Sequence, residues 1–563
     1  MNAQVQTAWV KPPYETGGLD HLGVQAPCIQ IYSQLLPGIT NVTDRARYYS
    51  FYLWLLNEFE KKGWRQKEEM IAQLRKADCL FSLISIRHGQ QHKNFADHAG
   101  SAVGSNTLTS VVTQLEAKGC IRLSDYTHFN ENDNTRYFKN PLGGLGQYYF
   151  GVLYELKLMS GSSVSAARLI KETGVKIANA MSMGVSGEAF MQALESDEVT
   201  LAVLDDLSCF CHCQLTTSDK EASLLIDVMR DGWPAITDDS EGVDSVEGEA
   251  ASAARSKSLA LLIKLSGISA ASGQKFDVYS FRGMTYSQYN LAKQPIPLSE
   301  SLSQVAGNWQ VYQRNEVLAV AMQGLFFVML RAVDLHAGSI NQRFMSTRAL
   351  CSWFWHEGPG SELFNNDDVA SLSDVLNARC DALPAFGDWC NEAHEIQLIE
   401  KIVKQTEQKS LNSSELTKIT AMSLDVLAAV CCRTENKGAY GEVHFRTGYL
   451  DPYPVNLNSV PNAVNQSLSE LKLVEALVKF TTHYCLHSHL RVAMRKLRQQ
   501  GQNTSRFEMT ENGLVIKDIP PATHTSPRFY QSMRILRDLG LVTADGDLLI
   551  PSASGLNFLE SVS

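Results

Sequence analysis

A chain of 563 residues, 44% apolar and 20% charged, has room for several hydrophobic cores and the composition of an ordinary globular protein. A formal charge of −10 and a pI near 5.8 exclude a molecule coated in positive potential, so any nucleic-acid contact has to be a local basic patch on an acidic body. Twelve scattered cysteines, several inside apolar runs such as ADCLFSLI around Cys79 and LAAVCCR around Cys431 and Cys432, read as reduced thiols in a cytoplasmic compartment. Met1 to Glu15 lacks the apolar core of a secretory signal.

The first segment, 1–160, reads as a helical domain. Thr43–Asp44 can cap a helix running to about Lys62, and its Tyr48, Tyr49, Phe51, Tyr52, Trp54, Leu55, Leu56 and Phe59 make it apolar on nearly every side, the mark of a buried helix. Arg45 and Arg47 beside Tyr48 and Tyr49 suggest base stacking, which burial of that helix disfavours. After a helix over 65–87 comes the polar stretch IRHGQQHKNFADHAG. Its His88, His92, Asp97 and His98 have the chemistry for a metal or for acid–base work, against the plainer reading of a solvated loop. Thr107 to Lys118, closed by Gly119 and followed by the strand CIRL and a polar turn at Asn130–Asn134, is a candidate winged-helix-like unit. Gly143–Gly144–Leu145–Gly146 reads as a tight turn into a helix; it lacks the Gly-Lys-Ser/Thr of a phosphate loop and the preceding strand of a dinucleotide fingerprint.

Residues 161–237 read as a helical segment. Within it, CFCHC places Cys209, Cys211, His212 and Cys213 together, thiolates and an imidazole that suit zinc. Alternating cysteines on a helix or strand cannot all face one ion, so the reading is buried structural cysteines. Residues 238–254 form an acidic, aromatic-free linker, its first half expected to be disordered. Residues 255–480 read as a second helical domain with breaks at Pro295–Pro297 and Pro452–Pro454. Its apolar run Val317 to Val333, interrupted by Gln323 and Arg331, fits a buried helix better than a membrane span.

The last segment, 481–563, carries the functional signal. On a helix over Thr482 to Gln499, Leu486, Leu490, Ala493, Met494 and Leu497 fall on one arc, and Arg491, Arg495 and Arg498 form an adjacent stripe. Guanidinium groups so spaced can follow a phosphate backbone or an acidic partner. Residues 483–538 hold nine Lys or Arg against four Asp or Glu. His483 and His487 share a helical face at metal-ligand spacing, with no acid between them, and with His489 they fit a phosphate surface as well as a metal.

A hairpin around Glu511–Asn512–Gly513 follows, then Ser526 as N-cap and Pro527 as first helical residue, a helix to Leu539 stopped by Gly540, a hairpin turning at Asp545–Gly546, and a closing helix in SASGLNFLE. Phe529, Met533 and Leu536 supply that helix's core face; Gln531 and Arg534 point outward, with Arg528 and Arg537 on the flanks. Residues 526–562 resemble the recognition helix, wing and final helix of the winged-helix superfamily, which implies binding of nucleic acid, DNA ahead of RNA, or of a protein. PPATHT before Ser526 is too short for the usual preceding helix, which favours phosphate contact or protein docking over base reading.

The phrases GITNVTDRARYYSFYLWLL and YFKNPLGGLGQYYFG resemble stretches of large bacterial proteins and suggest a multi-protein prokaryotic system such as phage defence. Catalytic signatures are thin. Gly184-Val-Ser186-Gly187 runs on into Glu188 and is no nucleophile elbow. Glu155-x-Lys157 and Glu470-x-Lys472, the latter with Asp451 upstream, sit in helical patterns and make poor nuclease pairs. The expected protein is mainly α: a multi-helical body with a C-terminal winged-helix-like α/β module and a candidate second one near the N-terminus. It is read as a non-enzymatic, cytoplasmic nucleic-acid-binding subunit with no cofactor, no metal and no membrane, contacting nucleic acid through Arg491, Arg495, Arg498, Arg528, Arg534 and Arg537. The alternatives are a scaffold docking a partner ATPase or nuclease and, third, a metal-dependent enzyme.

Overall fold

The computed structural model describes residues 20–64, 66–130, 132–231, 244–336, 344–364, 370–433 and 453–562. The protein is mainly α, as its helical periodicities imply, and every sheet among the described residues is a two-stranded antiparallel pair. The elements that position functional side chains are α1 (Arg47–Lys62), α2 (Lys67–Gln91), α3 (Phe95–His98), α4 (Asp244–Ala271), α5 (Glu300–His336), α6 (Ser488–Gln500), the hairpin β1 (Phe507–Thr510) and β2 (Gly513–Ile516), α7 (Phe529–Asp538), the hairpin β3 (Val542–Asp545) and β4 (Leu548–Pro551), and α8 (Ala553–Val562).

Contacts divide the chain into two units that ignore the linear order of the five segments read from the sequence. One comprises residues 1–32, 279–297 and 306–525; the other comprises 33–278, 298–305 and 526–563. Helix, hairpin, helix, hairpin and helix follow one another over 488–562 in the order the sequence suggests. Packing nevertheless assigns α6 with β1–β2 to the first unit and α7, β3–β4 and α8 to the second. The candidate unit near residue 105 is not a local winged helix. Its strand residues Ile121 and Arg122 pair with Val199 and Glu198, far along the chain, instead of with a following hairpin. The acidic linker lies outside the described residues up to 243, and from Asp244 the backbone is already α4.

In the second unit α1 is buried on all sides, as its composition requires, and packs against the helix Gly174–Gly184. Its Phe51 stacks on Phe81 at 4.0 Å, and Tyr48, Tyr52, Trp54, Tyr149, Phe190 and Phe210 extend the cluster. A core aromatic such as Phe51 contributes about 3–5 kcal/mol against alanine, which fixes this helix as the unit's axis. The glycine run at 143–146 is explained here. Gly143 sits at φ +60°, and the Gly144 N–H donates to Asp78, whose carboxylate also accepts from Tyr52 and Tyr137. A Cβ on Gly143 would fall 2.8 Å from that carboxylate, so the run is a wrap around a buried acid.

In the first unit α5 supplies the core. It is long and apolar enough to cross a membrane, yet 94% of its most apolar window is buried inside the protein. Its polar residues are bonded within the fold: Gln310 donates to the Tyr286 carbonyl, Gln313 to Thr285, and Gln323 to the Thr523 carbonyl. A helix carrying that many satisfied polar groups is a core helix, because lipid offers them no partners.

Candidate functional site

The six arginines expected to contact nucleic acid divide by helix. On α6, SHLRVAMRKLRQQ has four basic residues and no acidic one. Its buried face is Ser488, His489, Val492 and Ala493, which leaves Arg491, Arg495 and Arg498 exposed. Arg491 donates to Ser488, and none of the three forms an ion pair among the described residues. Met494 and Leu497, expected on the buried arc, are instead 54% and 38% exposed beside them.

The α7 arginines are occupied within the second unit. This helix begins at Phe529, two residues later than the Ser526–Pro527 cap suggests; Arg528 is its N-cap, in a left-handed conformation at φ 59°, with no side-chain cap bond. The Arg528 guanidinium donates to the Leu36 carbonyl and to Ser33; Arg534 donates to Ser101; Arg537 pairs with Asp97 at 2.9 Å. Arg534 and Arg537 line a cleft of about 340 Å³, together with Arg45, Asp97, His212 and Cys213.

That cleft borders a cluster that two unrelated stretches of sequence build together. His88 lies in the last turn of α2, His92 is the residue that closes that helix, and the short α3, capped by Asn94, delivers His98. The run CFCHC is neither α-helix nor strand. Ser208–Phe210 and His212–Thr217 are two 3-10 turns joined by an extended Cys211 at φ −57°, ψ 144°. That bend lets Cys211 and Cys213 converge while the His212 ring turns away between Tyr48 and Phe81, which corrects the expectation that alternating cysteines diverge. The Nδ1 atoms of His88 and His98 lie 3.0 Å apart, Cys211 Sγ is 3.4 Å from His98 Nδ1, and Cys213 Sγ is 3.4 Å from His88 Nδ1. All four donor atoms lie within 4.8 Å of one another. On its other edge His88 Nε2 meets His92 Nε2 at 3.1 Å, and the His92 ring stacks parallel to His98. Cys209, the remaining cysteine of the run, meets Ser186.

Two buried arginines hold both halves of this cluster. Arg47 donates to the carbonyls of Cys209 and Cys211 and pairs with the buried Glu221 at 3.3 Å, fixing the cysteine turn. Arg45 donates to the carbonyls of Asp97 and Gly100, fixing α3, and grips Asp538 with two nitrogens at 2.9 and 3.1 Å. Burial, followed by the neighbouring His98 and His92 rings, pushes His88 down to about 4; burial and then His92 lower His98. Both imidazoles are therefore neutral near pH 7 and offer lone pairs. The neighbouring Cys213 sulfur, with burial, pushes the Cys211 thiol up; Cys211 in turn lowers Cys213 against burial, helped by Gln214 and the two arginines.

The remaining sequence candidates stay apart. His487 meets Thr347, and His489 is buried between the His21 carbonyl and the Arg506 N–H, so 483–489 forms no donor set. Glu155 accepts from the Gly38 N–H while Lys157 lies over Tyr154; Asp451 falls outside the described residues. Arg45 and Arg47 were visible in the sequence only as neighbours of aromatics, since their role depends on carbonyls more than fifty residues away. Comparison with protein-family models, with curated proteins and with solved structures finds no match to this chain.

Proposed function

We propose that the protein is a non-enzymatic nucleic-acid-binding subunit whose contact surface is the outer face of α6. The observation that carries this reading is the set Arg491, Arg495 and Arg498: exposed, on a helix without a single acidic residue, and free of ion pairs among the described residues, in a chain of net charge −10. Guanidinium groups on successive turns match the spacing of phosphates along one strand and do not need bases to be read. Duplex DNA is the ligand. The test is DNA binding of the full chain as a function of salt, against the triple replacement of these arginines by glutamate. If each arginine displaces counterions from one phosphate, the three supply about 2.7 of the parent protein's slope of log K against log salt, and low-salt binding disappears in the variant. Unchanged binding by the variant, or none by the parent protein, overturns the reading.

A second reading rests on Met494 and Leu497, exposed between the arginines. Apolar side chains flanked by cations suit an acidic amphipathic segment of a protein partner, such as an ATPase or nuclease subunit. Capture of that partner that fails when Met494 and Leu497 become serine, with no DNA binding, selects it over the first.

A further inference from the structure

We propose that His88, His98, Cys211 and Cys213 bind one Zn²⁺ ion as a tetrahedral centre that fastens α2 and α3 to the cysteine turn. The donor set is two imidazole nitrogens and two sulfurs, the combination zinc takes in structural sites. A tetrahedron with usual zinc bond lengths has edges of about 3.3 Å between nitrogens, 3.6 Å between nitrogen and sulfur and 3.8 Å between sulfurs. The observed 3.0 Å and the two separations of 3.4 Å fall within a few tenths of an ångström of those edges. The other three pairs of donor atoms also lie within 4.8 Å of one another.

The surroundings are those of a metal site as well. With Nδ1 of His88 given to the ion, its Nε2–H donates to His92 Nε2, the outer hydrogen bond that orients a ligating imidazole. Arg45 and Arg47 hold the two backbone segments by their carbonyls and place positive charge beside the thiolates. The elements so joined are weak by themselves. α3 has four residues and the cysteine turn only 3-10 geometry, too short to persist without a tertiary fastening. Binding releases to solvent whatever protons the two thiols still carry, and the ion with two thiolates and two neutral imidazoles has no net charge. All four positions are filled by protein, so the centre is structural and leaves no place for a reacting water. Cys213 borders the 340 Å³ cleft, which gives the ion its route in.

The full chain, purified from zinc-supplemented culture, is expected to hold one zinc per chain by elemental analysis. After chelation and reloading with Co²⁺ it should show the ligand-field bands of a tetrahedral ion and thiolate-to-cobalt charge transfer. Cys213→Ser and His98→Gln lose the metal, Cys209→Ser keeps it, and His92→Ala weakens affinity by about 10–100-fold. Should the ligand variants fail to fold, the cobalt spectrum of the unaltered chain still decides. A six-coordinate spectrum without thiolate bands, or no uptake of either ion, overturns the proposal, as does loss of metal from Cys209→Ser with retention in Cys213→Ser.

Discussion

The arginines of α6 and those of α7 look alike as sequence and differ in fate. Each helix brings a dense basic run, yet Arg491, Arg495 and Arg498 lie on solvent while Arg528, Arg534 and Arg537 are spent on Leu36, Ser33, Ser101 and Asp97. The difference lies in what each helix packs beside. The buried face of α6 is narrow and leaves its stripe outside. α7 is anchored at its last residue by the Arg45–Asp538 pair and has protein within reach of its cationic side. A run of positive charge therefore identifies a binding surface only after the intramolecular acceptors around it have been counted.

The largest effect should come from the anchor. Arg45→Met leaves Asp538 without its bidentate partner in a site where both side chains are at most 9% exposed, and is expected to cost about 3–5 kcal/mol. The denaturation midpoint of the second unit reads it. A loss below about 1 kcal/mol would mean that α7 is not pinned by charge, and the contrast with α6 would fail.

A smaller effect sharpens the contrast inside the first unit, where interior charge is also present. His524 pairs with Glu316 and Glu400 at 3.2 Å each, and Glu400 with Arg282 at 2.8 Å. Burial opposes the charged ring, but the hydrogen bond to Glu316 and the Glu400 carboxylate beside the ring outweigh it and raise the His524 pKa; Glu316 and Glu400 are lowered, against burial, chiefly by His524. A raised histidine stabilises fully below its unfolded value of 6.5, and that contribution is lost as pH rises through the folded value. A lowered glutamate stabilises fully above 4.5, and that contribution is lost as pH falls through the folded value. The stability difference between the parent chain and His524→Gln is thus expected to be flat from pH 4.5 to 6.5 and to shrink on either side. Parallel pH profiles of the two proteins would rule the network out.

Smallest are the surface arginines. Arg537→Ala breaks a half-exposed pair with Asp97 and should cost no more than about 1 kcal/mol. Each of Arg491, Arg495 and Arg498 replaced by alanine should change stability by less than about 0.5 kcal/mol. A measurable unfolding cost on α6 would show that its stripe has partners inside the protein after all.

Much of the fold was legible. The all-round apolar pattern of Tyr48 to Phe59 and the length of the run around Val317 named two core helices, although the first starts at Arg47, later than the Thr43–Asp44 cap suggested. The signals Glu511–Asn512–Gly513 and Asp545–Gly546 placed both hairpins, whose two-residue loops are Glu511–Asn512 and Gly546–Asp547. The strand at Ile121 was legible as a strand but not as to its partner, because a two-residue pairing with 198–199 leaves no periodic trace. The His/Cys cluster was visible as two separate candidates, each weak. His88 and His98 sat in what reads as a loop, and CFCHC was judged on helix or strand geometry that its 3-10 turns do not have.

Local pattern by itself determined which stretches are helical, which of them are greasy enough to be buried, and which residue types have metal or phosphate chemistry, since these follow from side-chain periodicity and composition within a few turns. Only the tertiary structure decided which of those residues meet. It brought His88 and His98 against Cys211 and Cys213 across more than a hundred residues, and it gave α7's arginines acceptors far along the chain while leaving those of α6 exposed and without ion pairs among the described residues. The physical reason is that coordination and charge pairing act over a few ångströms of space, and distance along the chain does not report distance in space.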